Sequence, residues 1–158
     1  MSTVPSAATR RALPADERLL SVVHFYEGLR PDNIAQLDRL YAGDAVFKDP
    51  FNEVRGTAAI RRIFEHMFQQ VQAPRFDIES AASEGDTAFL TWTMRYRGNG
   101  RAGREEQIRG CTALCFGTDG RVTRHRDYWD AAEELYEKLP FLGLLMRALR
   151  RRLATRGA

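Results

Sequence analysis

A histidine and two aspartates in this sequence have the type and spacing for proton-transfer chemistry. In Val122-Thr123-Arg124-His125-Arg126-Asp127-Tyr128-Trp129, strand alternation puts Thr123, His125, Asp127 and Trp129 on one face and Val122, Arg124, Arg126 and Tyr128 on the other. Arginines are rarely buried without a partner, so the Arg124/Arg126 face is expected to meet solvent or another chain, and His125 and Asp127 to point to the covered side. A His–Asp pair there is costly unless hydrogen-bonded, and a histidine that titrates near neutrality beside a carboxylate can move protons. The same pair would serve equally well as a satisfied polar plug in a sheet. Asp49, just before Pro50, is the third candidate, with simple turn chemistry as its alternative. Cys111 and Cys115 lie four residues apart on one predicted strand, roughly 13 Å at a strand's rise, too far for a mutual disulfide. No His/Cys set has zinc spacing, and neither a metal nor a cofactor is called for.

The elements that must carry these residues follow from periodicity. Leu19, Val22, Val23 and Tyr26 predict an amphipathic helix from Asp16 to Leu29. Asp32 caps a short second helix to Tyr41, Ala45–Pro50 is a strand stopped by proline, and Gly56-Thr57 opens a third helix with Ile60, Ile63, Phe64, Met67 and Phe68 on one side. After Pro74 the period becomes two. Strands are expected at Arg75–Ala82, Asp86–Arg97, Glu105–Phe116 and Arg121–Trp129, separated by glycine-containing turns. Helices followed by a meander indicate an α+β fold. A further helix is expected from Asp130 to about Lys138, then an apolar stretch, Phe141–Leu153, ending in arginines. In the strand before Gly98, Leu90, Trp92, Met94 and Tyr96 share one face and Phe89, Thr91, Thr93 and Arg95 the other. The first set needs a cover, either helices or a second copy of the chain, and periodicity does not choose between them.

The 158 residues suit a single domain. The formal charge of +3 sits in the termini: residues 1–15 carry Arg10 and Arg11, residues 147–158 carry five arginines, neither has an acid, and residues 16–146 are left with −4. A nucleic-acid-binding body would show the reverse, so nucleic acid is not expected as a partner. Met1–Ala15 lacks an apolar signal core and no 18-residue apolar run exists, which together with the unpaired thiols suggests a cytoplasmic protein. The expected organisation is a disordered tail at 1–15, one domain at 16–138, and an apolar-basic helix and tail at 139–158. That last helix could lie on an anionic membrane surface. Packing of Phe141, Leu142, Leu145, Met146 and Leu149 over a pocket mouth or a neighbouring subunit is the preferred reading.

The run Leu40–Phe51, which contains Tyr41 and Asp49, resembles the strand-entry segment of ketosteroid isomerases, and Gly120-Arg121-Val122 with Asp127-Tyr128-Trp129 resembles their last turn and strand. The wider similarity, from about Asp16 to about Glu134, is to the SnoaL-like branch of the NTF2-like superfamily. It implies a cone in which a curved antiparallel sheet is wrapped by N-terminal helices around an apolar pocket. By that resemblance Asp49 falls at the general base. The two oxyanion-hole positions hold Phe25 (with Tyr26 adjacent) and Thr112, and of two supporting tyrosines one is kept as Tyr41 while the other is Phe64. Loss of both main donors argues against a steroid isomerase; each such donor is typically worth about 10² to 10³ in rate. Arg126–Asp130 is also similar to the end of the sheet in limonene-epoxide hydrolases, with Asp127 at one of their catalytic carboxylates. Their remaining positions depart, reading Phe47 and Asp49, with Arg95 out of register. The resemblance further implies that Phe89, Thr91, Thr93 and Arg95 face the pocket and that the Leu90 set forms a homodimer face on the outer side of the sheet.

Together these readings predict a pocket for a hydrophobic, flat or polycyclic molecule, with Phe25, Tyr26, Tyr41, Phe64, Phe89, Arg95, Thr112 and Trp129 as candidate binding residues. Metal-free general acid–base chemistry (isomerisation, cyclisation or epoxide opening) would use Asp49 as base with Asp127 and His125 assisting. The alternative is a non-catalytic binding module for an apolar ligand or partner segment that uses the same pocket.

Overall fold

A computed structural model describes residues 15–98 and 105–130. The expected terminal helix and tails, apart from Ala15 and Asp130, and most of the Gly98-Asn99-Gly100 turn lie outside the described residues.

Helix α1 (Glu17–Glu27) begins where Asp16 accepts hydrogen bonds from the backbone N–H groups of Arg18 and Leu19, and it buries Leu19, Val22, Val23, Phe25 and Tyr26. The expected second helix shortens to a 3-10 turn, Ile34–Gln36, and a single turn α2 (Leu37–Leu40). Strand β1 (Tyr41–Lys48) starts four residues earlier than alternation suggests. A register shift between Tyr41 and Val46 absorbs Ala42–Ala45, so the chain pairs with the last strand on both sides of an irregular stretch. A short strand β2 (Glu53–Arg55), not foreseen, folds back on β1. Gly56 then has φ of 90°, a conformation that favours glycine, and turns the chain into α3 (Thr57–Gln70).

Strand β3 (Val71–Glu84) leaves α3 without a loop and accommodates Pro74 at a second irregularity, between Gln72 and Arg75. With β4 (Thr87–Gly98), β5 (Glu105–Phe116) and β6 (Val122–Tyr128) it completes a six-stranded sheet in the order β2-β1-β6-β5-β4-β3. All pairs are antiparallel except β1 with β6, which run parallel. The molecule is therefore α+β, a curved sheet with helices on its concave side, as expected of an NTF2-like cone. The core lies between α1, α3 and that side of the sheet.

Register assigns the faces. Leu114 is paired with Ala88 and His125, and Thr112 with Leu90 and Asp127. Directly paired residues share a face, so Ala88, Leu90, Thr112, Leu114, His125 and Asp127 all point to the concave side. Leu90, Trp92 and Met94 are buried there among the helices, whereas Phe89 is 54% exposed on the outer side. Arg95 is also outside, bonded to Asp77 and Gln107. The inward placement expected for Phe89, Thr91, Thr93 and Arg95, and the outer face expected for the Leu90 set, are both reversed: the helices cover the large apolar set. Val122, expected on the Arg124 face, is also displaced, because Thr123 has no partner in the ladder. Thr123 is the extra residue of a bulge opposite Cys115 and Phe116, which lets Val122 turn inward to be fully buried.

Candidate functional site

Gly110 of β5 stands opposite Trp92 of β4. A Cβ at Gly110 would lie 2.4 Å from Trp92 Cζ2, so the missing side chain is what allows the indole to lie flat on the sheet. In that position Trp92 Nε1–H donates to Thr112 Oγ1 at 2.8 Å. Indole nitrogen only donates, so the Thr112 hydroxyl hydrogen is free for its second partner, Asp127 Oδ1.

A second chain reaches the same oxygen from the opposite side. His125 Nε2 lies 2.9 Å from Asp127 Oδ1, His125 Nδ1 lies 2.7 Å from the Tyr41 hydroxyl, and the Tyr41 and Tyr26 hydroxyls are 2.7 Å apart. One arrangement of hydrogens satisfies every group. Tyr26 donates to Tyr41, Tyr41 donates to Nδ1, and His125, with its proton on Nε2, donates to Asp127. The His125 ring is 2% exposed and stacks on Phe47 with centroids 4.6 Å apart and planes at 25°. Burial raises both tyrosines well above the ordinary phenol range, with the nearby Asp127 charge adding to the effect. Both therefore remain hydroxyl donors.

Asp127 Oδ1 thus takes two hydrogen bonds, while Oδ2 takes none among the described residues. Two chambers meet at this carboxylate. The inner one, about 30 Å³, is lined by Tyr26, Ile78, Leu90, Thr112 and His125. The outer one, about 210 Å³, is walled by Phe47, Ile63, Met67, Met94, Ile108 and Trp129, with Asp49, Asn52 and His66 as polar groups. Phe64, Phe76, Trp92 and Asp127 border both chambers. On the other side of Asp49, Asp127 and Trp129 lies a wider groove of about 560 Å³ edged by Lys48, Arg126 and Tyr128.

Asp49 shares the outer chamber with Asp127, but its carboxylate is occupied. Oδ1 accepts from the backbone N–H groups of Phe51 and Asn52, and the Asn52 side-chain amide reaches both oxygens. This is an Asx turn. Of the remaining candidates, Tyr26, Phe64, Thr112 and Trp129 line the chambers. Phe25 and Tyr41 sit in the core behind them, Tyr41 acting only through its hydroxyl, and Phe89 and Arg95 lie on the far side of the sheet. Sequence reasoning overlooked Trp92 as a wall residue, although a glycine facing a tryptophan across two predicted strands was the available signal. Among the described residues no group of His, Cys, Asp and Glu could hold a metal ion, and no helix is long and apolar enough to cross a membrane.

Comparison with known proteins extends the geometry. No curated protein matches the sequence. Solved structures do. An NTF2-like protein of unknown function from Burkholderia pseudomallei K96243 superposes with a TM-score of 0.65 at 17% identity, covering 75% of this chain and 94% of its own. An LEH-like epoxide hydrolase from M. tuberculosis gives 0.62 at 21%, covering 88% and 97%. A protein with a ketosteroid isomerase-like fold from Catenulispora acidiphila DSM 44928, solved with trimethylamine, gives 0.64 at 17%, covering 72% and 88%. At these identities the likeness shows a shared fold. Residues 22–125, more than half of the chain, match the family model described as the SnoaL-like domain, and the chain belongs to that family.

Proposed function

We propose that this SnoaL-like protein binds a small, largely apolar carbonyl compound in the outer chamber and transfers a proton at the carbon next to the carbonyl, with Asp127 as the base. The observation that carries the reading is Asp127, which lines both chambers with Oδ1 fixed by Thr112 and His125 and with Oδ2 taking no hydrogen bond among the described residues. In the step, the C–H bond breaks, its proton goes to Oδ2 and its electron pair moves onto the carbonyl oxygen. Where a double bond stands β,γ to the carbonyl, return of the proton to the γ carbon isomerises the substrate. Where a second carbonyl is in reach, the carbanion adds to it, the π pair of that carbonyl moves onto its oxygen, and the resulting alkoxide takes the proton back from Asp127 as the ring closes. His125 orients the carboxylate. Asp49, which the resemblance puts at the base, has its oxygens engaged by its own turn, and this favours Asp127 for the role. An oriented base is worth about 10² to 10⁴ in rate.

The test is hydrogen–deuterium exchange at the acidic carbons of 2-tetralone, followed by NMR in D₂O. Wild-type protein is expected to accelerate exchange over buffer, Asp127→Asn to lose about 10² or more of that acceleration, and Asp49→Asn to keep it within about threefold. Exchange unaffected by Asp127→Asn would end the reading. The second reading, a pocket that binds without chemistry, draws support from the satisfaction of every buried hydroxyl and ring nitrogen in the network. It predicts binding of the ketone with no exchange.

A homodimer through the outer face of the sheet belongs to the same proposal. Phe89 and Tyr128, 54% and 49% exposed, give that face apolar area. Light scattering should give twice the chain mass for the wild type and the monomer mass for Phe89→Asp; a monomeric wild type would refute it.

A further inference from the structure

Trp92 lines both chambers, as Phe64, Phe76 and Asp127 do. Three contacts hold it there: the hydrogen bond to Thr112, the close seat on Gly110, and Phe76, whose ring meets the indole edge to face with centroids 5.7 Å apart. The inner chamber, about 30 Å³, has space for a water molecule and no more. What remains for a ligand on the enclosed side of Asp127 is the outer chamber of about 210 Å³. A dry cavity of about 150 Å³ holds one benzene ring, and sites for drug-sized molecules begin at about 300 Å³.

We infer that Trp92 is the residue that sets the depth of this pocket, and that the ligand it selects has one or two rings, the flat and not the polycyclic of the two shapes expected from the sequence. The inference rests on the proposed use of the outer chamber and names the class of molecule that enters it. The ligand's apolar body lies among Phe47, Phe64, Phe76, Met67 and Trp129, and its polar edge faces Asp127 Oδ2. The Trp92 indole closes the far end. The two residues of the Trp92–Gly110 pair control depth with opposite sign. Trp92→Phe shortens the barrier and joins the chambers. Gly110→Ala forces the indole off the sheet and into the space the ligand needs, because a Cβ at 2.4 Å cannot coexist with the present ring position.

The experiment uses the full chain and two flat fluorescent phenols, 2-naphthol with two rings and 1-hydroxypyrene with four, with binding read by anisotropy and by mutual competition. Wild type is expected to bind 2-naphthol at least about tenfold more tightly than 1-hydroxypyrene, Trp92→Phe to shrink that ratio at least about fivefold, and Gly110→Ala to weaken 2-naphthol by about tenfold. Circular dichroism establishes that each variant is folded. Where one variant is not folded, the other and the wild-type ratio decide. The inference is overturned if wild type takes both phenols equally at a shared site, if Trp92→Phe leaves the ratio unchanged, or if 2-naphthol does not bind. Because these readouts are equilibrium binding, a failed size preference leaves the deuterium-exchange result standing, and failed exchange leaves the size preference standing.

Discussion

Removing the Tyr41 hydroxyl should cost far more than removing that of Tyr26, although the two groups touch. Tyr41 is fully buried and its oxygen has two jobs, accepting from Tyr26 and donating to His125 Nδ1. Tyr41→Phe orphans both neighbours at once, a buried donor and a buried acceptor. At about 1–3 kcal/mol for each of the two unsatisfied groups, the loss comes to about 2–6 kcal/mol. Tyr26→Phe removes only the end of the chain. Tyr41 keeps its donation to His125, so the cost falls to about 0.5–1.5 kcal/mol. The direction of the chain also fixes the sign of the coupling. In a Tyr41→Phe background the Tyr26 hydroxyl has lost its acceptor, so adding Tyr26→Phe should restore about 1–2 kcal/mol instead of subtracting more. Urea denaturation followed by circular dichroism reads all four proteins. With a slope of about 1–3 kcal/mol per molar urea, the Tyr41→Phe midpoint should fall by about 1–3 M and the double variant should recover part of it. Additive losses, or a Tyr26→Phe change as costly as Tyr41→Phe, would refute the assigned direction. Such a result would place the proton on His125 Nδ1.

Two predictions concern pH. The Arg18 guanidinium, with help from the backbone of the first helical turn, holds the Asp16 carboxyl down at about 2 against an ordinary 3.8. A depressed acid stabilises the fold above its unfolded value and loses that contribution as the pH falls through the folded one. Asp16→Asn should therefore flatten the loss of stability between about pH 4 and pH 2 while lowering stability at pH 7 by about 1–2 kcal/mol, the charge-dependent part, since Asn keeps only the neutral cap; an acid-denaturation curve unchanged in slope would contradict it. At the other end of the scale, burial raises Tyr26 and Tyr41 above the ordinary 10, so the stability they confer is complete below pH 10 and drains as the pH climbs past it. Absorbance at the phenolate wavelength should show two tyrosines that ionise only together with the loss of near-ultraviolet circular dichroism. Two that titrate freely in the folded protein would contradict their burial.

Alternation along a single strand was enough to send His125 and Asp127 inward and Arg124 and Arg126 outward, because the arginines carried an independent statement about solvent. On β4 alternation defined the two sets correctly but not which faced the core. Either set could be covered by helices or by a second copy of the chain, and the resemblance decided for the wrong one. Cross-strand register settles it, since Leu90 pairs with Thr112 and Thr112 with Asp127. The irregularities were illegible for a different reason. The bulge at Thr123 and the break within β1 depend on where a strand meets partners far away in sequence, and nothing local to either segment encodes that. The same holds for β2, three residues long, whose existence follows from pairing with β1 and not from any periodicity of its own.

The two aspartates show most directly what a linear reading can and cannot assign. Asp49 finds all its donors within the next three residues, so its carboxylate would be bound in any chain that made this turn, and the Asp-Pro motif was sufficient warning. Asp127 finds one donor two residues back and the other fifteen residues back, on a neighbouring strand. Both come from within the sheet and converge on Oδ1, and Oδ2 takes no hydrogen bond among the described residues. A carboxylate held on one side only is oriented without being saturated, the condition a base needs. Chemically identical groups therefore part ways because one is satisfied by its own loop and the other by the sheet. Exchanging their surroundings is the way to exchange their roles. Thr112→Val, which removes one donor to Asp127 and leaves the turn at Asp49 untouched, should slow any reaction of Asp127 while the structure around Asp49 stays as it is.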